Sequence, residues 1–361
     1  MELFELERSN FRDRFDFNEY LSNHYSDLSS RNLYIISGIT SLDQSGFEQR
    51  LADHRFTVKE EYGAVKKVEN QYGSSDDSIA EAYLTFDSDH GLFFLYTNQR
   101  KTIEIEGGIE PFFSAAPDVH YLYLSPHVLS NARERIVEAE PSAKVTEFIA
   151  KRTKRTDMPT ATNVSSDMSR TVNYYADDGL QQLRRWENEL GVLPHIMQFD
   201  IPSALKFRIT KEGIFTLKSG SLTVLFEYVG DCIRESLRIA DAYRDSDFEM
   251  LRMSDSFTLP SATPAVISLQ NELEYHEIDG FISELENDNY IVLNQYDEEG
   301  SLFFSGKVYD DEHNLFFDLR ANQDEIRVFP REEQDIGSFY HLFEFIQDYI
   351  DDRANIEQLE A

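Results

Sequence analysis

Two short stretches of the chain combine carboxylates with an imidazole. Asp87-Ser88-Asp89-His90 and Asp310-Asp311-Glu312-His313 each place an aspartate three residues before a histidine. Carboxylates beside an imidazole can bind a divalent ion or exchange protons with a substrate. Aspartate and histidine are also favoured in tight turns for backbone reasons, and this structural role is the one we favour. Asp87, His90, Asp310 and His313 are therefore candidate catalytic residues only, and we predict no metal and no cofactor.

A second chemical signal is a locally basic segment. Between Lys144 and Lys218 the chain has 12 basic and 9 acidic residues, whereas the whole chain has a formal net charge of −33. Such a segment could contact phosphate groups of a nucleic acid or nucleotide, or an acidic partner. We favour the alternative that these bases pair with the protein's own acids. The candidate binding residues are Lys151, Arg152, Lys154, Arg155, Arg184 and Arg185.

Two tripeptides are apolar on both faces of their predicted strands. Leu92-Phe93-Phe94 and Leu315-Phe316-Phe317 alternate across a sheet, because successive strand residues point to opposite sides. Helices would cover one face, and an exposed aromatic second face would be unusual on a soluble monomer. The second face could be covered by a sister unit, by a second subunit or protein partner, or by stacked bases. The predicted interface residues are Phe93, Phe94, Phe316 and Phe317.

The elements that would position these residues occur twice. Gly46-Phe47 and Gly280-Phe281 begin a series of matches at a spacing of 234 residues, and the two Asp-x-x-His stretches match at a spacing of 223. The difference predicts an insertion of 11 residues in the first copy, near Gly63–Asp77, which we interpret as a hairpin loop. We infer an internal duplication.

Each copy has the predicted order β-α-β-β-β-β-α, an α+β architecture in which helices back an antiparallel sheet. The closing helix is clearest at Ile336–Ile350, where Phe339, Leu342 and Ile346 share one face. A middle section, including an amphipathic helix from Leu222 to Tyr243, has a similar order and is an alternative third copy. The order is similar in topology to the half-repeat of the TATA-box-binding-protein fold, a likeness that implies no function.

Composition shifts indicate five segments. They are an N-terminal arm (1–31), a first α+β unit with a β-α-β extension (32–150), a basic and polar linker (151–170), a middle α+β section (171–260) and the second copy of the unit (261–361).

The charge and cysteine content indicate where the protein acts. The chain has 67 acidic and 34 basic residues, a balance that resembles cytoplasmic proteins of halophilic archaea, where molar salt screens surface repulsion. One cysteine, Cys232, excludes an internal disulfide. There is no signal peptide and no apolar run long enough to span a membrane, so we predict a cytoplasmic protein.

These observations favour a non-enzymatic binding or assembly component. A protein partner or a homo-oligomer is the expected assembly, nucleic acid is a further candidate partner, and no membrane contact is expected. The alternative is a metal-dependent hydrolase or nuclease-like enzyme that uses Asp87, His90, Asp310 and His313.

Overall fold

The structure of the protein is a computed structural model. It describes residues 2–73, 78–116, 118–152, 169–254, 257–270, 272–273, 275–287, 289–297, 304–311, 315–330, 336–351 and 353–357.

These residues form an α+β fold with antiparallel sheets and eight α-helices. The helices are α1 Arg14–Leu28, α2 Gln44–Asp53, α3 Glu110–Ala115, α4 Pro126–Ala139, α5 Gly179–Leu190, α6 Leu222–Arg244, α7 Tyr275–Asn287 and α8 Ile336–Tyr349. A π-helix, Lys101–Ile109, precedes α3.

Nineteen strands lie in the described ranges. They are β1 Leu33–Thr40, β2 Phe56–Tyr62, β3 Val65–Gln71, β4 Ile79–Asp87, β5 Leu92–Thr97, β6 Val119–Tyr121, β7 Lys144–Arg152, β8 Arg170–Tyr175, β9 Leu193–Ile201, β10 Leu205–Thr210, β11 Ile214–Gly220, β12 Asp247–Ser254, β13 Phe257–Thr263, β14 Ala265–Ser268, β15 Tyr290–Asp297, β16 Phe304–Asp310, β17 Leu315–Ala321, β18 Glu325–Pro330 and β19 Asn355–Glu357.

The chain forms two compact units. Unit 1 comprises Met1–Ala150, Val172–Arg184 and Leu193–Arg234, and unit 2 comprises Lys151–Thr171, Arg185–Val192 and Glu235–Ala361. This division does not follow the predicted segments, because strands from the predicted middle section hydrogen-bond to strands of the first α+β unit.

The sheet that dominates unit 1 has eleven strands. Its order is β2-β3-β4-β5-β1-β11-β10-β9-β7-β8, and the short strand β6 also pairs with β1. β1 lies between β5 and β11, with Ile35 opposite Tyr96 on one side and Phe215 on the other. Buried on both faces, β1 is almost uninterruptedly apolar, as expected for a central strand.

One face of this sheet is covered by α2, the π-helix and α3. Phe47 of α2 packs against Phe93 of β5, with ring centroids 4.6 Å apart, and Phe113 of α3 lies 5.6 Å from the same ring. Gly38 of β1 is directly opposite Phe93. A Cβ atom at Gly38 would lie only 2.1 Å from Phe93 Cζ, so the ring occupies space that only a glycine leaves free.

The N-terminal arm covers the other face. Phe17 of α1 is fully buried and lies 5.1 Å from Tyr96 of β5 and 6.0 Å from Tyr83 of β4, measured between ring centroids. Before the helix, the Phe11 amide donates to the Tyr62 carbonyl at 2.8 Å. The arm is therefore an ordered part of unit 1, and its irregularly spaced aromatic residues form the second layer over the sheet.

Unit 2 contains a six-stranded sheet with the order β15-β16-β17-β18-β14-β19 and a separate hairpin, β12–β13, beside β18. Helices α7 and α8 cover one face of this sheet. Phe281 of α7 contacts Phe304 of β16 and Phe345 of α8, with centroid distances of 5.9 and 6.2 Å. Val308 and Leu319 complete this core and are fully buried.

The two units share a strand order. β2-β3-β4-β5-β1 in unit 1 corresponds to β15-β16-β17-β18-β14 in unit 2, with a helix after the first strand in each case. The middle section does not repeat this order, since β8 lies beside β7 and not beside β11.

The turns matched by sequence occupy different places in this order. Asp87–His90 joins β4 to β5, whereas Asp310 ends β16, one strand earlier in the series. The expected insertion at Gly63–Asp77 is not a loop, because it contains strand β3. Hairpins with alternating aromatic residues resemble one another, so the sequence match moved by one strand.

Among the described helices, none is long and apolar enough to cross a membrane.

Candidate binding surface

The first Asp-x-x-His turn is built by backbone hydrogen bonds. Asp87 Oδ1 accepts the Asp89 amide at 3.1 Å, the local contact that favours aspartate in turns. His90 is half-buried in the same turn. This geometry accounts for Asp87 as a turn residue without assigning it chemistry.

The second turn differs because its aspartate is inaccessible. Asp310 is fully buried and its Oδ2 accepts the Ser338 hydroxyl of α8 at 2.8 Å. His341 Nδ1 lies 3.6 Å from the same oxygen and 2.9 Å from the Tyr290 hydroxyl. These four residues form a polar cluster that anchors α8 to the sheet. His313, the predicted partner of Asp310, lies outside the described residues.

The geometry does not assemble the predicted hydrolase site. Asp87 and His90 belong to unit 1, and Asp310 belongs to unit 2. Within the described ranges, no group of three or more His, Cys, Asp or Glu side chains is placed to hold a metal ion.

Three of the candidate phosphate-binding residues already contact the protein itself. Arg152 is only 2% exposed and its Nη1 donates to the Leu190 carbonyl at 3.1 Å, so it is not available to a phosphate. Arg184 forms an ion pair with Glu134, and Arg185 pairs with Glu189 at 2.7 Å, one helical turn away. These contacts agree with internal pairing of the bases.

The remaining basic candidates are distributed differently. Lys151 is exposed at the end of β7. Lys154 and Arg155 lie outside the described residues.

Two of the four predicted interface phenylalanines are core residues. Phe93 and Phe94 are 0% and 1% exposed. Phe93 faces α2 and α3, and Phe94 faces the arm, where Arg14 lies over its ring. Their prediction as an interface is wrong, because the N-terminal arm of the same unit supplies the missing layer.

In unit 2 the two phenylalanines separate. Phe317 is 5% exposed and lies 6.2 Å from Tyr290, on the face covered by the helices. Phe316, on the opposite face, is only half-buried. This opposite face corresponds to the one that α1 covers in unit 1.

Five side chains on this face form a surface that we call the open patch. Ile291 lies opposite Tyr309, and Tyr309 lies opposite Phe316, in a row across three strands. Leu293 and Lys307 form the next row. Ile291 and Leu293 are 48% and 41% exposed, values unusual for large aliphatic residues on neighbouring positions of one face. The open patch comprises Ile291, Leu293, Lys307, Tyr309 and Phe316.

The open patch combines aromatic rings with cations. The Tyr309 and Phe316 centroids are 4.7 Å apart, and Lys307 Nζ lies 4.0 Å from the Phe316 centroid. Arg320, further along β17, is exposed and lies over Phe329 at 4.7 Å. Asp318 is the acid next to Lys307 on this face. Cations held over aromatic faces favour an anionic or aromatic ligand.

Sequence reasoning identified Phe316 but missed its neighbours. The missed signal is Tyr290-Ile291-Val292-Leu293, four apolar residues in succession at the start of β15. An edge strand with an apolar residue on both faces is expected to meet a partner. Strand β15 could be identified as an edge only after the order of the sheet was known.

Comparisons with known proteins identify one domain match and a distant relative. Residues 141–212 match the model of the AF_0896 family middle domain, a range that contains β7 to β10. A protein of Archaeoglobus fulgidus, described as uncharacterised, is 23% identical over 340 residues, which cover 90% of this chain and 89% of the relative. No solved structure matches the chain.

Proposed function

We propose that this protein is a non-enzymatic binding component whose open patch receives an acidic, aromatic helical segment of a partner protein. The observation that carries the proposal is the contrast between the units. The same sheet face is closed by α1 in unit 1 and exposes Ile291 and Leu293 in unit 2.

Helix α1 indicates what kind of segment fits such a face. It contributes buried aromatic residues, including Phe17 and Tyr20, and it carries three acids and one base. On the open face, Lys307 and Arg320 provide positive charge in a chain of net charge −33. A partner segment with the character of α1 would therefore gain both apolar burial and electrostatic complementarity.

A related proposal concerns origin. We infer that the β1–β5 half of unit 1 and the β14–β18 sheet of unit 2 are copies of one β-α-β-β-β-β-α unit. The common strand order and the matching Gly-Phe pairs in α2 and α7 support this, and the order is that of the TATA-box-binding-protein half-repeat. Duplication explains why one chain has two equivalent faces, of which only one received the arm.

Photo-crosslinking tests the binding proposal. The full chain would be expressed in cells of its own source with p-benzoyl-phenylalanine in place of Phe316, and a control would carry it in place of Tyr175, which is 67% exposed in unit 1. We expect one dominant protein adduct at position 316, attached through an acidic helical segment that contains aromatic residues.

A charge reversal provides the discriminating variant. Lys307→Glu with Arg320→Glu should remove the adduct at position 316, because the acidic segment would then meet like charge. A nuclease-sensitive adduct would instead identify nucleic acid as the ligand. Equal adducts at positions 316 and 175 would show that the patch has no specific partner. Either result would refute the proposal.

A further inference from the structure

A second surface, in unit 1, has the chemistry of a cation site. The N-terminal segment, the end of α1 and strands β3 and β4 enclose an open cleft of about 1340 Å³. One base, Arg31, lines it. Its acidic residues are Glu2, Glu5, Glu7, Asp27, Glu69 and Glu81.

Two of the six carboxylates are already neutralised. Glu69 pairs with Lys59 at 3.1 Å, and Glu81 pairs with Lys67 at 2.9 Å. Glu2, Glu5, Glu7 and Asp27 are exposed, and no cationic side chain of the described residues lies within ion-pair distance of them. The cleft thus concentrates four uncompensated negative charges, which raises the local concentration of cations.

An independent observation comes from Asn98 in the wall of the cleft. Its side chain is 5% exposed, and its Nδ2 donates to Ser29 Oγ at 3.0 Å. Its Oδ1 accepts no hydrogen bond from the described residues. Buried polar atoms in native proteins nearly always have partners, so an unfilled acceptor in a wall of acceptors points to a ligand that brings donors.

The lining restricts the class of cation. No three carboxylates of the described residues are grouped closely enough to hold a metal ion. Apolar residues alternate with the acids in the wall, namely Leu3, Phe4, Leu6, Leu28 and Ile79. Ammonium groups have donors and no acceptor, and methylene chains between them would pack against the apolar residues.

We propose that this cleft binds a linear aliphatic polyamine. Its ammonium groups pair with Glu5, Asp27 and their neighbours, and one of them donates to Asn98 Oδ1. The site belongs to unit 1 and does not depend on the open patch of unit 2.

Calorimetric titration of the full chain with spermidine tests this proposal, at the lowest KCl concentration that preserves the circular dichroism spectrum. We expect saturable binding near one equivalent. Glu5→Gln with Asp27→Asn should weaken it about tenfold, since each change removes one charge near the ligand. The control, Asp89→Asn with Glu140→Gln, removes two exposed charges outside the cleft and should leave the affinity unchanged.

A second variant addresses Asn98 directly. Asn98→Asp retains the shape of the side chain and adds a carboxylate beside the ligand, so it should tighten spermidine binding. Three results would overturn the proposal, namely absence of binding heat, equal loss in the two double variants, or Mg²⁺ binding to the same site as tightly as spermidine. The last two would indicate a diffuse counterion atmosphere.

Discussion

The guanidinium of Arg14 lies over the ring of Phe94, with its central carbon 4.3 Å from the ring centroid. Arg14 begins α1 and Phe94 belongs to β5, so this contact joins the N-terminal arm to the centre of the sheet in unit 1. The equivalent face of unit 2 has no such arm among the described residues, and its aromatic residues remain partly exposed. This single difference gives rise to the proposed binding function.

The arm should contribute substantially to the stability of unit 1. Phe17→Ala removes a fully buried ring and should lower the free energy of unfolding by about 3–5 kcal/mol, through lost burial and the cavity that remains. Phe15→Ala is the matched control on the same helix, because Phe15 is 71% exposed. Chemical denaturation would measure both, and an equal effect would show that the arm does not pack as described.

Two glycines should respond oppositely to the same substitution. Gly38→Ala places a Cβ atom 2.1 Å from Phe93 Cζ, so the ring must move and the protein should lose about 1–3 kcal/mol of stability. Gly230 lies within α6 with nothing near its Cβ position. Gly230→Ala should stabilise the protein by about 0.5–1 kcal/mol, since alanine favours the helix. Denaturation midpoints that move in the same direction would contradict this.

Acid should weaken the attachment of the arm through Asp16. The Arg8 guanidinium, which donates to both carboxylate oxygens at 2.8 and 2.6 Å, and the Arg12 amide lower the pKa of Asp16 to about 2. A depressed pKa in the folded state means that the stabilisation is present above the ordinary aspartate pKa and is lost as the pH falls from about 4 to about 2.

Asp16→Asn should therefore reduce the pH dependence of stability in that interval. Urea unfolding at pH 5, 4, 3 and 2 would measure it, with Asp53→Asn as the control on an exposed aspartate. A wild-type slope identical to that of Asp16→Asn would show that the Arg8 contact is not maintained in solution.

Low salt should loosen the protein. With a formal net charge of −33, the surface repels itself, and the Debye length increases from about 3 Å at 1 M salt to about 30 Å at 0.01 M. We expect dialysis from molar to millimolar KCl to reduce the helical circular dichroism signal. An unchanged spectrum would contradict the prediction of a salt-adapted protein.

Local patterns in the chain were sufficient to predict most elements. The apolar stripe at Ile336–Ile350 became α8, which ends at Tyr349, and the amphipathic stretch from Leu222 became α6. A helix or strand depends on residues a few positions apart, so its periodicity can be read in the chain. The α+β class follows from the order of such elements.

Long-range contacts decided everything that concerns the surfaces. Whether Phe94 is an interface or a core residue depends on where the arm, some 80 residues earlier, comes to rest. Asp310 is buried because α8 brings Ser338 and His341 to it, and Ile291 is exposed because β15 is an edge strand without a covering helix. These outcomes depend on which strands become neighbours, a choice made by burial of whole faces and not by any local pattern.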